Sequence, residues 1–260
     1  MYIAKKTYPF LEELDMETFI LNRSSITKSS FFVAFCIMSL VLFQTCAEQN
    51  EVAASKVISG TDTNGYPFVI ASVTDRDEFC SGSFISHNVY LTAGHCIANA
   101  KFIRTLGVES SVLVLHPEYS SDSTSIADFV QNDLGIAIFP AQTYTGRPAV
   151  LSQSSRLNDS VTAIGLGCTN IRSQIGVGKK RTAKIPAEPL TSGVISSKLS
   201  PKGLCPGDSG GPAIIDNTIE GVASMVRVER DEYQSYWVNL TSESSKEFLK
   251  AVKKYVDSDM

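Results

Sequence analysis

Apolar residues in this chain come in short alternating or continuous runs rather than in long helical stripes. The runs are Tyr66–Val73, Val112–Leu115, Leu134–Phe139, Val161–Leu166, Pro212–Ile215 and Ile219–Val228. Between them stand turn-forming residues, among them Thr63-Asn64-Gly65 and Asp216-Asn217, whose backbones tolerate tight reversals. Runs of this length, punctuated in this way, predict β-strands from Val57 onward. The polar stretch Ser120–Ser125 reads as a surface loop. Helical spacing emerges only near the end, where Phe248, Leu249, Val252 and Val256 repeat behind Ser244-x-x-Glu247. That pattern predicts an amphipathic helix over about 244–256, opened by a capping box. The pattern as a whole describes an all-β body with one C-terminal α-helix, and no solenoid repeat.

Composition changes this picture little. A chain of 260 residues with 43% hydrophobic and 19% charged residues has enough apolar material for a sizeable core. Its net charge of −4 gives no basic excess to attract nucleic acid. The N-terminus adds more. Phe31 to Phe43 is an uncharged apolar run preceded by Arg23 and Lys28, too short for the ~20 residues of a spanning helix and right for a signal peptide. Export is therefore expected, with residues 1–47 an N-terminal extension plus signal or lipoprotein-type segment. Of six cysteines, Cys36 lies inside that run, leaving Cys46, Cys80, Cys96, Cys168 and Cys205. None has the CxxC spacing of a zinc or redox site. In an oxidising compartment four of them can form two disulfides, with one left over.

Chemistry concentrates around one serine. Gly207-Asp208-Ser209-Gly210-Gly211-Pro212 places a hydroxyl among glycines, where the chain can turn sharply and leave N–H donors free. A hydroxyl needs a base to take its proton. Three histidines are available, His87, His95 and His116, and His95 sits in Leu91-Thr92-Ala93-Gly94-His95-Cys96. A third group must orient the imidazole. Asp133, heading the apolar run Leu134–Phe139, suits that task, whereas Asp128 lacks a following strand and reads as a surface charge.

These blocks resemble the chymotrypsin/trypsin family of serine proteases, as a bacterial-type secreted member. LTAGHC at 91–96, NDLGIAIF at 132–139 and GDSGGP at 207–212 stand in the family's order of His, Asp and Ser. The resemblance implies two packed six-stranded antiparallel β-barrels. They are expected at about 57–150 and 151–240, the whole peptidase domain spanning 57–260. It also implies a catalytic triad of His95, Asp133 and Ser209, with the amides of Gly207 and Ser209 as the oxyanion hole. His116, in LHPEY, is expected to be structural. Lys56-Val57-Ile58-Ser59-Gly60 resembles the family's activation site, so 48–56 is a propeptide, cleavage follows Lys56, and the freed Val57 ammonium pairs with Asp208.

Cys80 and Cys96 match the family's first-barrel disulfide. Cys205 is also a family position, but no cysteine follows it, so Cys168–Cys205 is expected instead. Cys46 is then a candidate for lipidation and membrane attachment, although Phe43-Gln44-Thr45 is a poor lipobox. The resemblance places the specificity pocket at Gly203, Ser224, Val226 and Ser235. With Gly203 where trypsin-like members carry Asp, Met225 where Trp is common and Val226 where Gly keeps the pocket open, small aliphatic P1 residues are expected. Glu229, Asp231 and Glu232 are read as a solvated loop. The expected protein is an exported monomeric endopeptidase made as a zymogen. It needs a peptide or protein substrate and an activating protease, and neither metal nor cofactor. The competing expectation is a catalytically silent binding or regulatory protein on the same scaffold. An esterase is disfavoured, because its nucleophile would stand in GxSxG at a strand-to-helix elbow.

Overall fold

The computed structural model describes residues 58–256. The expected signal segment, Cys46, the expected propeptide 48–56, and Lys56 and Val57 of the expected activation site lie outside the described residues. The chain opens with β1 (Thr61–Asp62), β2 (Val69–Thr74), β3 (Phe79–Phe84), β4 (Val89–Thr92), β5 (Ile103–Thr105), β6 (Val108–Glu109) and β7 (Val112–Leu115). A short helix, α1 (Ile126–Gln131), precedes β8 (Gly135–Ile138). Then follow β9 (Val150–Leu151), β10 (Ser160–Gly165), β11 (Arg181–Thr191), β12 (Val194–Ser197), β13 (Pro212–Ile215), β14 (Thr218–Glu229) and β15 (Glu232–Asn239). Helix α2 (Glu243–Val256) comes last.

The strands form two antiparallel sheets. In the first the order is β6-β5-β2-β3-β4-β8-β7. Its two ends are pieces of one bent run: Ser110 N donates to Ile103 O at 2.9 Å and Ser111 N to Ile138 O at 2.7 Å. Counting that run once gives six strands. In the second sheet β11-β10-β13-β14-β15-β12 closes on itself through a β11–β12 pairing, which removes the exposed edges. β1 adds to β11, and β9 adds to β14 in parallel. The first strand after the expected cleavage point therefore belongs to the second sheet, so the barrel boundary is not a simple cut near 150.

Alternation explains the ladder locally. In β11, Arg181, Ala183, Ile185 and Ala187 are buried while Lys184, Pro186 and Glu188 are exposed, the period of two that a pleated strand imposes. The four residues of β4 are all buried, because the strand pairs with β3 and β8 and its side chains meet packed neighbours on both faces. The first core holds an aromatic cluster, with Phe84 and Tyr90 at 5.2 Å edge-to-face and Phe84 and Tyr144 stacked at 4.9 Å. The second is aliphatic around Ile185, Ile195, Ala213 and the fully buried Trp237.

Two helical details differ from the sequence reading. The residues after the Ser120–Ser125 loop form α1, capped by Ser125, whose Oγ accepts from Asp128 N at 3.1 Å and donates to the Asp128 carboxylate at 2.7 Å. Asp128 is thus a cap partner on the surface. At the C-terminus the cap is Ser242, whose Oγ accepts from Ser245 N at 3.2 Å, not Ser244. Ser244 instead lies 3.1 Å from His116 Nε2 through its hydroxyl. His116 Nδ1 already accepts from Glu118 N, so this histidine ties α2 to the first barrel.

Candidate active site

β4 ends at Thr92 and delivers His95 to the rim of a cleft of about 440 Å³, lined also by Ser209, Gly207, Leu204, Met225 and Val226. Asp133 lies just ahead of β8 and is fully buried. Its Oδ1 accepts from the His95 backbone N–H at 2.7 Å and its Oδ2 lies 2.7 Å from His95 Nδ1. A third donor, Ser224 Oγ, reaches Oδ2 at 2.6 Å. The carboxylate thus fixes both the backbone and the ring of the histidine, and with Nδ1 engaged, Nε2 is the nitrogen left to exchange a proton. Burial pulls the His95 pKa down. The hydrogen bond and charge of Asp133, with a further contribution from Glu78, outweigh it and leave His95 above its ordinary value.

Ser209 stands across the cleft from His95, partly exposed. No hydrogen bond joins its Oγ to His95 Nε2, a spacing common to nucleophile–base pairs without substrate. Cys96 Sγ lies 3.8 Å from Nε2, but it is bonded to Cys80 and has no proton to share. For the same reason the cluster Cys80, His95 and Cys96 cannot offer thiolates to a metal.

The loop around Ser209 is held by backbone geometry. Gly207 and Gly210 have φ of +94° and +83°, the left-handed region that glycine enters at no steric cost. A Cβ on Gly210 would also collide with Ser81 O and Thr92 Oγ1. Neither the Gly207 nor the Ser209 amide donates to another group among the described residues, so a pair of N–H donors is left beside the hydroxyl. Asp208 turns the other way and is fully buried. Its carboxylate accepts from Gly167 N at 2.7 Å and Cys205 N at 2.9 Å.

Ser81 carries no motif, yet it connects the two barrels here. Its N donates to Ser209 O at 2.9 Å, its Oγ donates to Gly207 O at 2.8 Å, and that Oγ accepts from Leu166 N at 2.9 Å. Its position directly after Cys80 is the only trace of this role in the sequence. The second disulfide, Cys168–Cys205, has Cα atoms 5.3 Å apart and fastens the serine loop to the segment after β10.

The four residues expected in the specificity pocket are placed differently from one another. Val226 and Ser224 line the cleft, and Ser224 also serves Asp133. Gly203 and Ser235 lie buried beneath it. Ser235 Oγ accepts from Leu204 N at 2.9 Å, and a Cβ on Gly203 would collide with Tyr233 Cβ. At this place the cleft is lined by Leu204 and Val226 rather than by Gly203 and Ser235. Glu229 and Glu232 pair at the end of the β14–β15 hairpin, whose turn Arg230-Asp231 has positive φ at both residues. All three acids are exposed and absent from the cleft lining. On the opposite rim Arg76 and Glu78 form an ion pair at 2.8 Å.

Comparison with known proteins agrees with this fold. A chymotrypsin from the beetle Phaedon cochleariae is 30% identical over 197 residues, covering 60% of this chain and 66% of that protein's own length. Among solved structures, the inactivated protease paralogue S-D1 of the scabies mite matches with a TM-score of 0.62 at 18% identity, over 76% of this chain and 96% of that one. Neuropsin, a serine protease expressed in mouse brain, matches with a TM-score of 0.62 at 15% identity, over 76% and 98%. The family model described as Trypsin matches residues 57–241, and the chain belongs to the trypsin family of chymotrypsin-like serine proteases.

Proposed function

We propose that this protein is a secreted serine endopeptidase that hydrolyses peptide bonds through Ser209, His95 and Asp133. The observation that carries the reading is the buried Asp133, which grips His95 at both N and Nδ1 while Ser209 faces the same cleft. In this account Ser209 Oγ attacks the scissile carbonyl as its proton passes to His95 Nε2. Asp133 stabilises the imidazolium. The carbonyl oxygen becomes an oxyanion facing the amides of Gly207 and Ser209. Collapse breaks the C–N bond, and the imidazolium returns its proton to the departing amine. Water then attacks the acyl-enzyme by the same route and regenerates Ser209. These roles are those of the family's triad.

The enzyme is made as a zymogen cut after Lys56, and the freed Val57 ammonium pairs with Asp208. Burial pushes the Asp208 carboxyl up to about 7, so a cation brought beside it stabilises the charged form. Export is supported by the apolar Phe31–Phe43 run and by two disulfides, which persist in oxidising compartments. P1 is a small aliphatic residue, because Leu204, Met225 and Val226 give the cleft apolar walls. Peptide anilides ending in Ala or Val are expected to be cleaved faster than those ending in Arg, Lys or Phe. A preference for Arg or Lys would contradict this pocket.

Two variants follow. Gly203→Asp, which would place a carboxylate where trypsin-like members carry one, is expected to destabilise the fold without conferring Arg or Lys cleavage, because Tyr233 fills that space. Thermal melting and a P1 panel read both effects. Glu78→Gln removes a negative charge that favours the imidazolium. It lowers the His95 pKa, and the acid limb of kcat/KM moves to lower pH. An unmoved or raised limb would remove Glu78 from the electrostatics of the site.

A second reading, a catalytically silent scaffold, draws on the missing Ser209–His95 hydrogen bond and on the inactivated paralogue among the structural neighbours. It predicts a folded protein, cut at Lys56, that never acylates.

A further inference from the structure

The buried Asp208 shares a partner, Gly167, with a buried cation. Arg181, the first residue of β11, is 3% exposed. Its Nη1 donates to the carbonyls of Gly167 at 3.1 Å, Gly176 at 2.7 Å and Lys179 at 3.1 Å, and its Nε donates to Asp62 Oδ1 at 3.2 Å. Gly167 is therefore gripped on both sides, its carbonyl by Arg181 and its amide by Asp208. The acceptors are mostly neutral carbonyls, and the one carboxylate, Asp62, also pairs with Lys179. Beyond its pairing with Asp62, the guanidinium favours the charged form of Asp208, a smaller effect than the upward push of burial.

The connection runs further along the chain. Asp62 lies on β1, which is laddered to β11 through Thr61↔Thr182 and Asp62↔Arg181. Ile58 is buried against Cys168 and Cys205, and its carbonyl accepts from Gly203 N at 3.3 Å. The segment next to the expected cleavage point, the Asp208 pocket and the serine loop are thus joined through one buried arginine.

We propose that Arg181 is a resident counter-charge and brace for Asp208 that keeps the oxyanion loop ordered before any N-terminus is freed, so that the uncut chain is already competent for acyl transfer. The proposal rests on the protease reading above and goes beyond it: cleavage after Lys56 raises an existing activity rather than creating one. Arg181 is a positioning residue, since it touches neither substrate nor the reacting atoms.

The test compares an uncuttable chain, Lys56→Gln, with a chain cut after Lys56, each otherwise wild type or carrying Arg181→Met or Arg181→Lys. The readouts are the rate of Ser209 labelling by a fluorophosphonate and the kcat and KM for one peptide anilide. The uncut wild type is expected to label measurably, at a rate below that of the cut form. Arg181→Met is expected to slow the uncut form by about 10²-fold, the size of losing one ordered oxyanion-hole donor. The loss falls on kcat with KM little changed. The cut form loses far less, because the Val57 ammonium supplies the charge, and Arg181→Lys retains most of the uncut rate. An inert uncut wild type beside an active cut one would overturn the proposal while leaving the protease reading intact. So would an equal loss in both forms of Arg181→Met, the mark of a brace with no electrostatic part. Should Arg181→Met fail to fold, the wild-type pair and Arg181→Lys decide, with loss of uncut labelling in either counting against the proposal. Labelling of neither wild-type form, with the protein folded, withdraws the protease reading and this inference together.

Discussion

Replacing Ser209 with alanine is expected to lower kcat by about 10⁶, the loss seen when a triad nucleophile is removed. Thermal stability should hardly change, because Ser209 is partly exposed and its Oγ makes no hydrogen bond among the described residues. Asp133→Asn should be milder, at about 10⁴, a size known for this triad elsewhere in the family. Here the reason is legible atom by atom. Asp133 Oδ2 accepts from Ser224 and faces His95 Nδ1, while Oδ1 accepts from His95 N. An amide group puts an N–H donor where an acceptor is required, which turns the imidazole to the wrong tautomer or displaces it. Burst kinetics and single-turnover rates on a P1 alanine substrate would separate the two losses from binding. A Ser209→Ala protein retaining even a hundredth of the wild-type kcat would mean that another group performs the chemistry.

Removing the Cys168–Cys205 disulfide should have the second largest effect. The cysteines are 37 residues apart, and closing a loop of that length restricts the unfolded chain by about 4 kcal/mol in the chain-entropy model. The bond also fastens the loop that carries Gly207 and Asp208. Cys168 N donates to Pro206 O at 2.9 Å, and Gly167 and Cys205 supply both donors to the Asp208 carboxylate. The double variant Cys168→Ser/Cys205→Ser is therefore expected to melt well below the wild type and to lose kcat at temperatures where it is still folded. Denaturant unfolding gives the first effect and steady-state kinetics the second. A stability loss with kcat unchanged would show that the surrounding hydrogen bonds order the loop unaided.

Part of this architecture was legible in the sequence because it rests on short-range pattern. Val112–Leu115 and Pro212–Ile215 are strands with the expected limits, and the run Ile219–Val228 lies within β14. β11 escaped notice although its alternation is regular. Of its four inward positions only Ile185 is strongly hydrophobic, the others being Arg181, Ala183 and Ala187, and Pro186 and Pro189 look like breakers. They are tolerated because the strand's long outer face is exposed. α1 is six residues long, too short for helical periodicity to declare itself. The capping pattern at Ser244 was a true motif with another use, since Ser242 caps the helix and Ser244 meets His116.

The site divides in the same way. The blocks around His95, Asp133 and Ser209 are local, and the fold brings His95 and Ser209 to one cleft with Asp133 buried behind His95. Ser81 and Arg181 are not local. Ser81 acts on Gly207, 126 residues away, and Arg181 acts on Asp208 through Gly167. No spacing rule in a single chain marks such partners. Gly203 shows the reverse limit: the sequence identifies the residue, but only packing shows that Tyr233 leaves no room for any other.

The most direct test of the account is fluorophosphonate labelling of the purified, folded protein after a controlled cut at Lys56, with the modified residue mapped by mass. The account predicts a single adduct on Ser209, abolished by prior denaturation and by His95→Ala. A folded, cut protein that takes no label at Ser209 would contradict it and leave the silent scaffold as the better description.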